Sequence, residues 1–165
     1  MVTSRADLEE LGFVGFVPFG DLPTSEVPRE HGVYVVLRPV EAPPVFRAVS
    51  SAGRPAGRRE PSVDVDILRR AWVEGEEIIY IGKAGGRGGL RSRLSAYRRH
   101  GAGLPVKHWG GRYVWQLDDS DTLLVAWRTT PEDDPRNVEA MMLTEFQDRT
   151  GSLPFANLQQ GRSIR

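Results

Sequence analysis

The chain predicts an α/β fold of the α+β kind, with a small mixed or antiparallel central sheet flanked by helices. Three observations carry that expectation. Two apolar, β-branched segments, Gly32–Leu37 and Ile78–Ile81, suit buried strands. Two later segments, Leu90–His100 and Pro135–Arg149, each gather apolar residues on one side of a helix drawn at about 100° per residue. Strand candidates at Arg112–Leu117 and Leu123–Arg128 flank the acidic turn Asp118-Asp119-Ser120-Asp121, the pattern of a hairpin.

With 165 residues, 39% of them hydrophobic, the chain suits one folded domain spanning 1–165. Residues 1–30 read as an N-terminal extension and 38–75 as an insertion. There are no cysteines, so a metal would take oxygen or imidazole ligands, which favours a hard ion such as magnesium. Met1–Glu10 lacks the blocks of a secretion signal, and no apolar run approaches the roughly 18 residues that span a bilayer. A cytoplasmic protein with no membrane partner is expected.

The 22 basic residues balance 22 acidic ones, which argues against a general nucleic-acid coat. The distribution is less even than the sum. From Ile78 to Leu117 there are eight basic residues (Lys83, Arg87, Arg91, Arg93, Arg98, Arg99, Lys107 and Arg112) and no acidic one. This run predicts a positive face around a glycine-rich loop, to which His100 and His108 would add at lower pH.

In chain order, Ala6–Leu11 is a short helical candidate and Phe13–Val17 an apolar piece bounded by Gly12 and Pro18. The two are expected to cover one face of the sheet. In the strand Gly32–Leu37, Tyr34 shares a face with Gly32 and Val36. Residues 38–75 are rich in proline and glycine and carry Arg54, Arg58 and Arg59, which predicts a mobile basic loop. Within it Val45–Ser50 reads as an added strand, and Val65–Val73 as a short helix capped by Ser62 or Asp64.

The strand Ile78–Ile81 is expected to turn through Gly82-Lys83-Ala84 into Gly85-Gly86-Arg87-Gly88-Gly89. A nucleotide-hydrolase phosphate loop is excluded, because Glu77 stands where its first glycine belongs and Ala84 where its Ser or Thr belongs. On the helix that follows, closed by Gly101, Leu90, Leu94 and Tyr97 form the apolar stripe. Arg93 and His100 lie on one flank of it, Arg91 and Arg98 on the other. The acidic turn at 118–121 reads as a backbone-bonding turn rather than a cation site.

The last helix has Asp134 at its cap and Pro135 at its first position. Val138, Met142, Leu143 and Phe146 form its buried side, and Glu139 falls among them. A carboxylate there needs a counter-charge, either an arginine in a structural salt bridge or a metal ion. Glu145, at the edge of the stripe, reads as solvated.

Gly32-Val33-Tyr34, then Tyr80-Ile81-Gly82 with Lys83 directly after, Arg93 and Tyr97 on the next helix, Glu139 on the last, and Asn157 in Leu153-Pro154-Phe155-Ala156-Asn157 together resemble the GIY-YIG nuclease family. The resemblance covers about residues 32–37 and 78–158. It departs from the family in one respect: Tyr34 and Tyr80 are 46 positions apart, whereas a hairpin of about ten residues is usual. This marks 38–75 as a candidate specificity element.

The resemblance implies a metal-dependent endonuclease that hydrolyses DNA phosphodiesters, acting on duplex or branched DNA as a monomer or a transient dimer. It places Glu139 on a Mg2+ or Mn2+ ion, Arg93 on a phosphate oxygen and Lys83, with the glycine-loop amides, on the DNA backbone. It makes Tyr34 the base for water, Tyr80 its orienting partner, and Tyr97 and Asn157 members of the site. Two other readings remain open: a DNA-binding module of the same fold without catalysis, and a nucleotide-binding regulator that uses the glycine loop.

Overall fold

A computed structural model describes residues 1–106 and 108–158. Lys107, counted in the basic run above, lies outside the described residues. The chain forms α1 (Arg5–Glu10), β1 (Val14–Pro18), β2 (Gly32–Leu37), α2 (Val65–Ala71), β3 (Ile78–Ala84), α3 (Gly89–Gly101), β4 (Leu124–Thr129) and α4 (Pro135–Thr150). The four strands make one antiparallel sheet in the order β1-β4-β2-β3. No helix among the described residues is long and apolar enough to cross a membrane.

Every residue of β2 is buried, because the sheet is covered on both faces. Alternation along the strand sends Tyr34 and Val36 into a layer with Leu90, Leu94 and Tyr97 of α3, and sends Val33, Val35 and Leu37 into a layer with Val138, Leu143 and Phe146 of α4. An unbroken apolar run with a helix layer on either side is the sequence signature that made β2 legible.

Several elements differ from the sequence expectation. β3 does not turn at Gly82 but stays extended to Ala84, with Gly82 opposite Tyr34 and Ala84 opposite Gly32. Glycine is required at 82 for another reason: a Cβ there would lie 2.4 Å from the Tyr34 ring. The piece Phe13–Val17 is not a mere cover, since β1 pairs with β4 as an edge strand and is bulged between Gly15 and Val17. The expected strand Arg112–Leu117 is a 3-10 turn over Arg112–Gln116. It buries Val114, Trp115 and Gln116 in succession, which a strand with alternating faces would not do here. No hairpin therefore precedes β4.

The segment 38–75 is pinned to the body at named points instead of forming a loose basic loop. The buried Gln116 side chain donates to the carbonyls of Arg47 and Val63 and accepts from the Val63 amide. His100 bonds the Gly53 carbonyl at 3.0 Å while the Gly53 amide donates to the His100 carbonyl. Val45–Ser50 contributes one bridge, Phe46 to Leu117, and no strand. Asp64 caps α2 as expected. The acidic turn is taken up by arginines of the same segment, Arg38 on Asp119 at 2.8 Å and Arg47 on Asp118 at 3.3 Å.

Gly82→Ala is expected to lower unfolding stability by about 1–3 kcal/mol through overpacking against a fully buried ring. Gly86→Ala, where nothing lies within 4 Å of the added methyl, should stay near wild type. Urea denaturation of the two variants checks the difference.

Candidate active site

β3 lies at one edge of the sheet, so its outer side has no strand to pair with. The closing segment supplies the partners instead. The Asn157 carboxamide accepts from the Ile81 amide at 3.0 Å and donates to the Ile81 carbonyl at 2.8 Å, while the Ala156 amide donates to the Ile79 carbonyl. Asn157 thus serves the site by fixing β3, in place of a fifth strand.

On the face covered by α3, Tyr34 and Tyr80 lie with ring centroids 5.9 Å apart. Tyr34 is fully buried and Tyr80 nearly so. Tyr97 is also fully buried, and its hydroxyl donates to the Gly111 carbonyl at 2.7 Å. Tyr97 packs against both tyrosines, and its hydroxyl is already committed to the backbone. Arg93, half-buried on α3, faces the oxygens of Tyr34 and Tyr80, and among the described residues it has no carboxylate within ion-pair distance.

On the other face, alternation points Lys83 towards α4, and its Nζ meets Glu139 Oε2 at 2.6 Å. The carboxylate set among the apolar residues of α4 therefore has its counter-charge, supplied by lysine and not by the arginine that a purely structural pair would predict. Glu145 accepts from the Val2 amide at the far end of the helix.

The two faces meet at a trough of about 890 Å³, whose lining includes Tyr80, Lys83, Arg93 and Glu139. Arg87 and Arg136 add further positive charge to its walls. Tyr34, Tyr97 and Asn157 do not line it. The glycine loop contributes less than expected at the start of α3. There the amides of Gly89, Leu90 and Arg91 are taken by the carbonyls of Gly86, Glu30 and Pro28, leaving them no role as an anion cradle.

Burial raises the pKa of Tyr34 above the ordinary tyrosine value, with Arg93 opposing the shift, and raises that of Tyr80 well above it. The nearby cations therefore do not by themselves make a ready phenolate. Burial also lowers the pKa of His100, and it lowers that of His108 well below the ordinary value with help from the Arg93 charge. Both rings are neutral members of the interior, so the expectation that they extend the positive face is overturned.

Sequence reasoning gave His108 a place only in the positive face and missed its contact with the tyrosines. His108 is 1% exposed, stacks on Tyr97 at 3.9 Å with the rings 4° from parallel, and has Nε2 3.0 Å from the Tyr34 hydroxyl. The available signal was local: a histidine just ahead of Gly110 and Gly111, where Cβ atoms would approach Tyr80 and Tyr97 respectively.

Comparison with protein-family models, with curated proteins and with solved structures found no match to this chain. The likeness to GIY-YIG nucleases rests on the residues quoted above.

The histidines set a pH dependence whose sign follows from their lowered pKa values. The unfolded chain binds protons at His100 and His108 from about pH 6.5 downward while the folded chain resists doing so at these two, so stability falls as pH drops below that value, by up to about 1.4 kcal/mol per pH unit for each group. Thermal melts from pH 7.5 to 5 should show this loss, with a shallower slope in His108→Gln. Removing the strap on β3 with Asn157→Ala should cost about 1–3 kcal/mol by leaving the Ile81 backbone groups unpaired, measured by urea denaturation.

Proposed function

We propose that this protein is a metal-dependent endonuclease that hydrolyses DNA phosphodiester bonds in the trough at the edge of β3. One observation carries the reading: Arg93 from α3, Lys83 from β3 and Glu139 from α4 border the same trough as Tyr80, with Tyr34 packed beside it. A guanidinium without an acidic partner and a lysine paired to a single carboxylate are groups suited to a phosphate and a cation.

Glu139 is the residue that would hold the ion. Among the described residues no cluster of three or more ligating side chains is present, and the trough offers carboxylate oxygen without cysteine. That set fits Mg2+ or Mn2+, which bind through one or two carboxylates and complete their shell with waters and substrate phosphate. When bound, such an ion stabilises charge on the phosphate and on the leaving oxygen.

The side chains divide the remaining work. Lys83 is held on Glu139, and would be free to meet the DNA backbone if a cation neutralised that carboxylate. Arg93 pairs with a phosphate oxygen, a contact that strengthens as charge grows in the transition state. Tyr80 orients the attacking water at the trough wall and hands its proton on to Tyr34, packed behind it. One such site cuts one strand per encounter, so a double-strand break needs two copies or two visits.

A DNA-binding module without catalysis is the second reading, favoured by the 2.6 Å ion pair that already satisfies Glu139. Supercoiled plasmid with Mg2+ separates the two. Wild type is expected to nick it, with Glu139→Ala and Arg93→Ala slower by about 100-fold or more. Retardation of plasmid without nicking by wild type would favour the binding module, and undiminished nicking by Glu139→Ala would remove Glu139 as the metal ligand.

A further inference from the structure

We propose that His108 is the terminal proton acceptor of this site, receiving the phenolic proton of Tyr34 on Nε2 while Tyr34 receives a proton from the side of the trough. The inference rests on the hydrolytic reading above and adds to it a residue outside the family resemblance.

The geometry fixes where the protons are. His108 Nδ1 lies 2.8 Å from the Gly110 carbonyl, which can only accept, so Nδ1 carries a hydrogen. The buried ring is neutral, which leaves Nε2 bare. At 3.0 Å from Nε2, the Tyr34 hydroxyl must therefore be the donor. Its hydrogen is directed at the imidazole, and its oxygen presents its lone pairs to the remaining neighbours, Arg93 and Tyr80.

This arrangement answers the difficulty that burial creates. A preformed Tyr34 phenolate is disfavoured in this interior, whereas a hydroxyl already bonded to a neutral imidazole can gain one proton and lose another without becoming an anion. In the step, an O–H bond of the attacking water breaks and its proton passes to the Tyr80 oxygen at the trough wall. The Tyr80 hydroxyl proton passes to Tyr34, and the Tyr34 proton to His108 Nε2. The oxygen left behind bonds to phosphorus as the bond from phosphorus to one deoxyribose oxygen breaks. That oxygen leaves and takes a proton from solvent in the open trough, and the positive charge rests on His108 with Nδ1–H still held by Gly110.

The groups that face this ring are Tyr34 from β2, Arg93, Tyr97 and His100 from α3, and, across a crevice of about 80 Å³, Arg58 of the 38–75 segment. Arg93 opposes an imidazolium. A phosphate bound to Arg93 offsets that charge, so substrate binding itself readies the acceptor.

The test is the pH dependence of single-turnover plasmid nicking between pH 6.5 and 9.5, taken as the ratio of variant to wild type so that ionisations common to both cancel. His108→Gln can accept the Tyr34 hydrogen bond but cannot take a proton; His108→Ala can do neither. With the acceptor gone, the variants depend on Tyr34 anion, and the ratio is expected to rise about tenfold per pH unit for both. A ratio independent of pH, or wild-type rates in His108→Gln, would overturn the proposal and leave His108 as packing.

Nitrogen-15 NMR of labelled histidine in the wild-type protein reads the tautomer without reference to cleavage. Hydrogen on Nδ1 is expected, and hydrogen on Nε2 overturns the proposal even if DNA is cut. If the Nδ1 tautomer is found but wild type cuts no DNA, the hydrolytic reading fails and the relay fails with it, while the proton placement stands.

Discussion

The Tyr34 ring lies over the α-carbon of Gly82, so close that a methyl group there would fall 2.4 Å from it. The rest of the site is laid out from that approach. It carries a side chain from β2 across to the edge strand and sets it beside Tyr80, 5.9 Å away. Gly32 serves the same packing from the other end of the register, since a Cβ there would meet the Arg128 carbonyl of β4 and the Leu90 side chain of α3. The glycines flanking the two tyrosines are thus conditions of close approach rather than signs of turns.

Because the strand alternates, the residue after Gly82 must point to the opposite face, and this is what brings Lys83 to Glu139. The pair joins the α4 layer to the edge on which α3 has placed Arg93. Glu139 is only 15% exposed and Lys83 41%. An ion pair of this kind is worth little as a brace, about 0–1 kcal/mol when one partner is largely in water, yet a carboxylate this buried is costly without a cation beside it. The lysine is better understood as a counter-charge to the buried carboxylate than as a structural tie. His108 occupies the equivalent place on the other face, a neutral base against a buried hydroxyl.

How much of this the sequence discloses varies from element to element. β2, α3, α4 and the caps at Asp64 and Asp134 were legible, because each is decided by local pattern: an unbroken apolar run, a helical stripe, a side chain that accepts from the first turn. Glu139 was legible as an intruder among apolar neighbours, though its partner was not. The elements that were misread answer to contacts distant in sequence. Gly82 looks like a turn until Tyr34 is laid across it, and Arg112–Gln116 looks like a strand until Trp115 is seen packing on Gly101. The 38–75 segment has loop composition, but Gln116 and His100 hold it from more than 40 residues away. Asn157 was expected as a member of the site, but nothing in its local sequence showed that it would bond the backbone of Ile81, next to Tyr80, and complete the edge of β3.

The proposal is that one cation and one phosphate share the trough at this edge with Tyr80, with Tyr34 packed behind it. Paramagnetic broadening by Mn2+ in the presence of a short DNA duplex, read in amide NMR spectra, tests it most directly. The account predicts that broadening centres on Gly82–Ala84, on the turn of α3 that carries Arg93 and on the turn of α4 that carries Glu139, and that it vanishes in Glu139→Ala. Broadening centred instead on the acidic turn at Asp118–Asp121, or unchanged by Glu139→Ala, would contradict it.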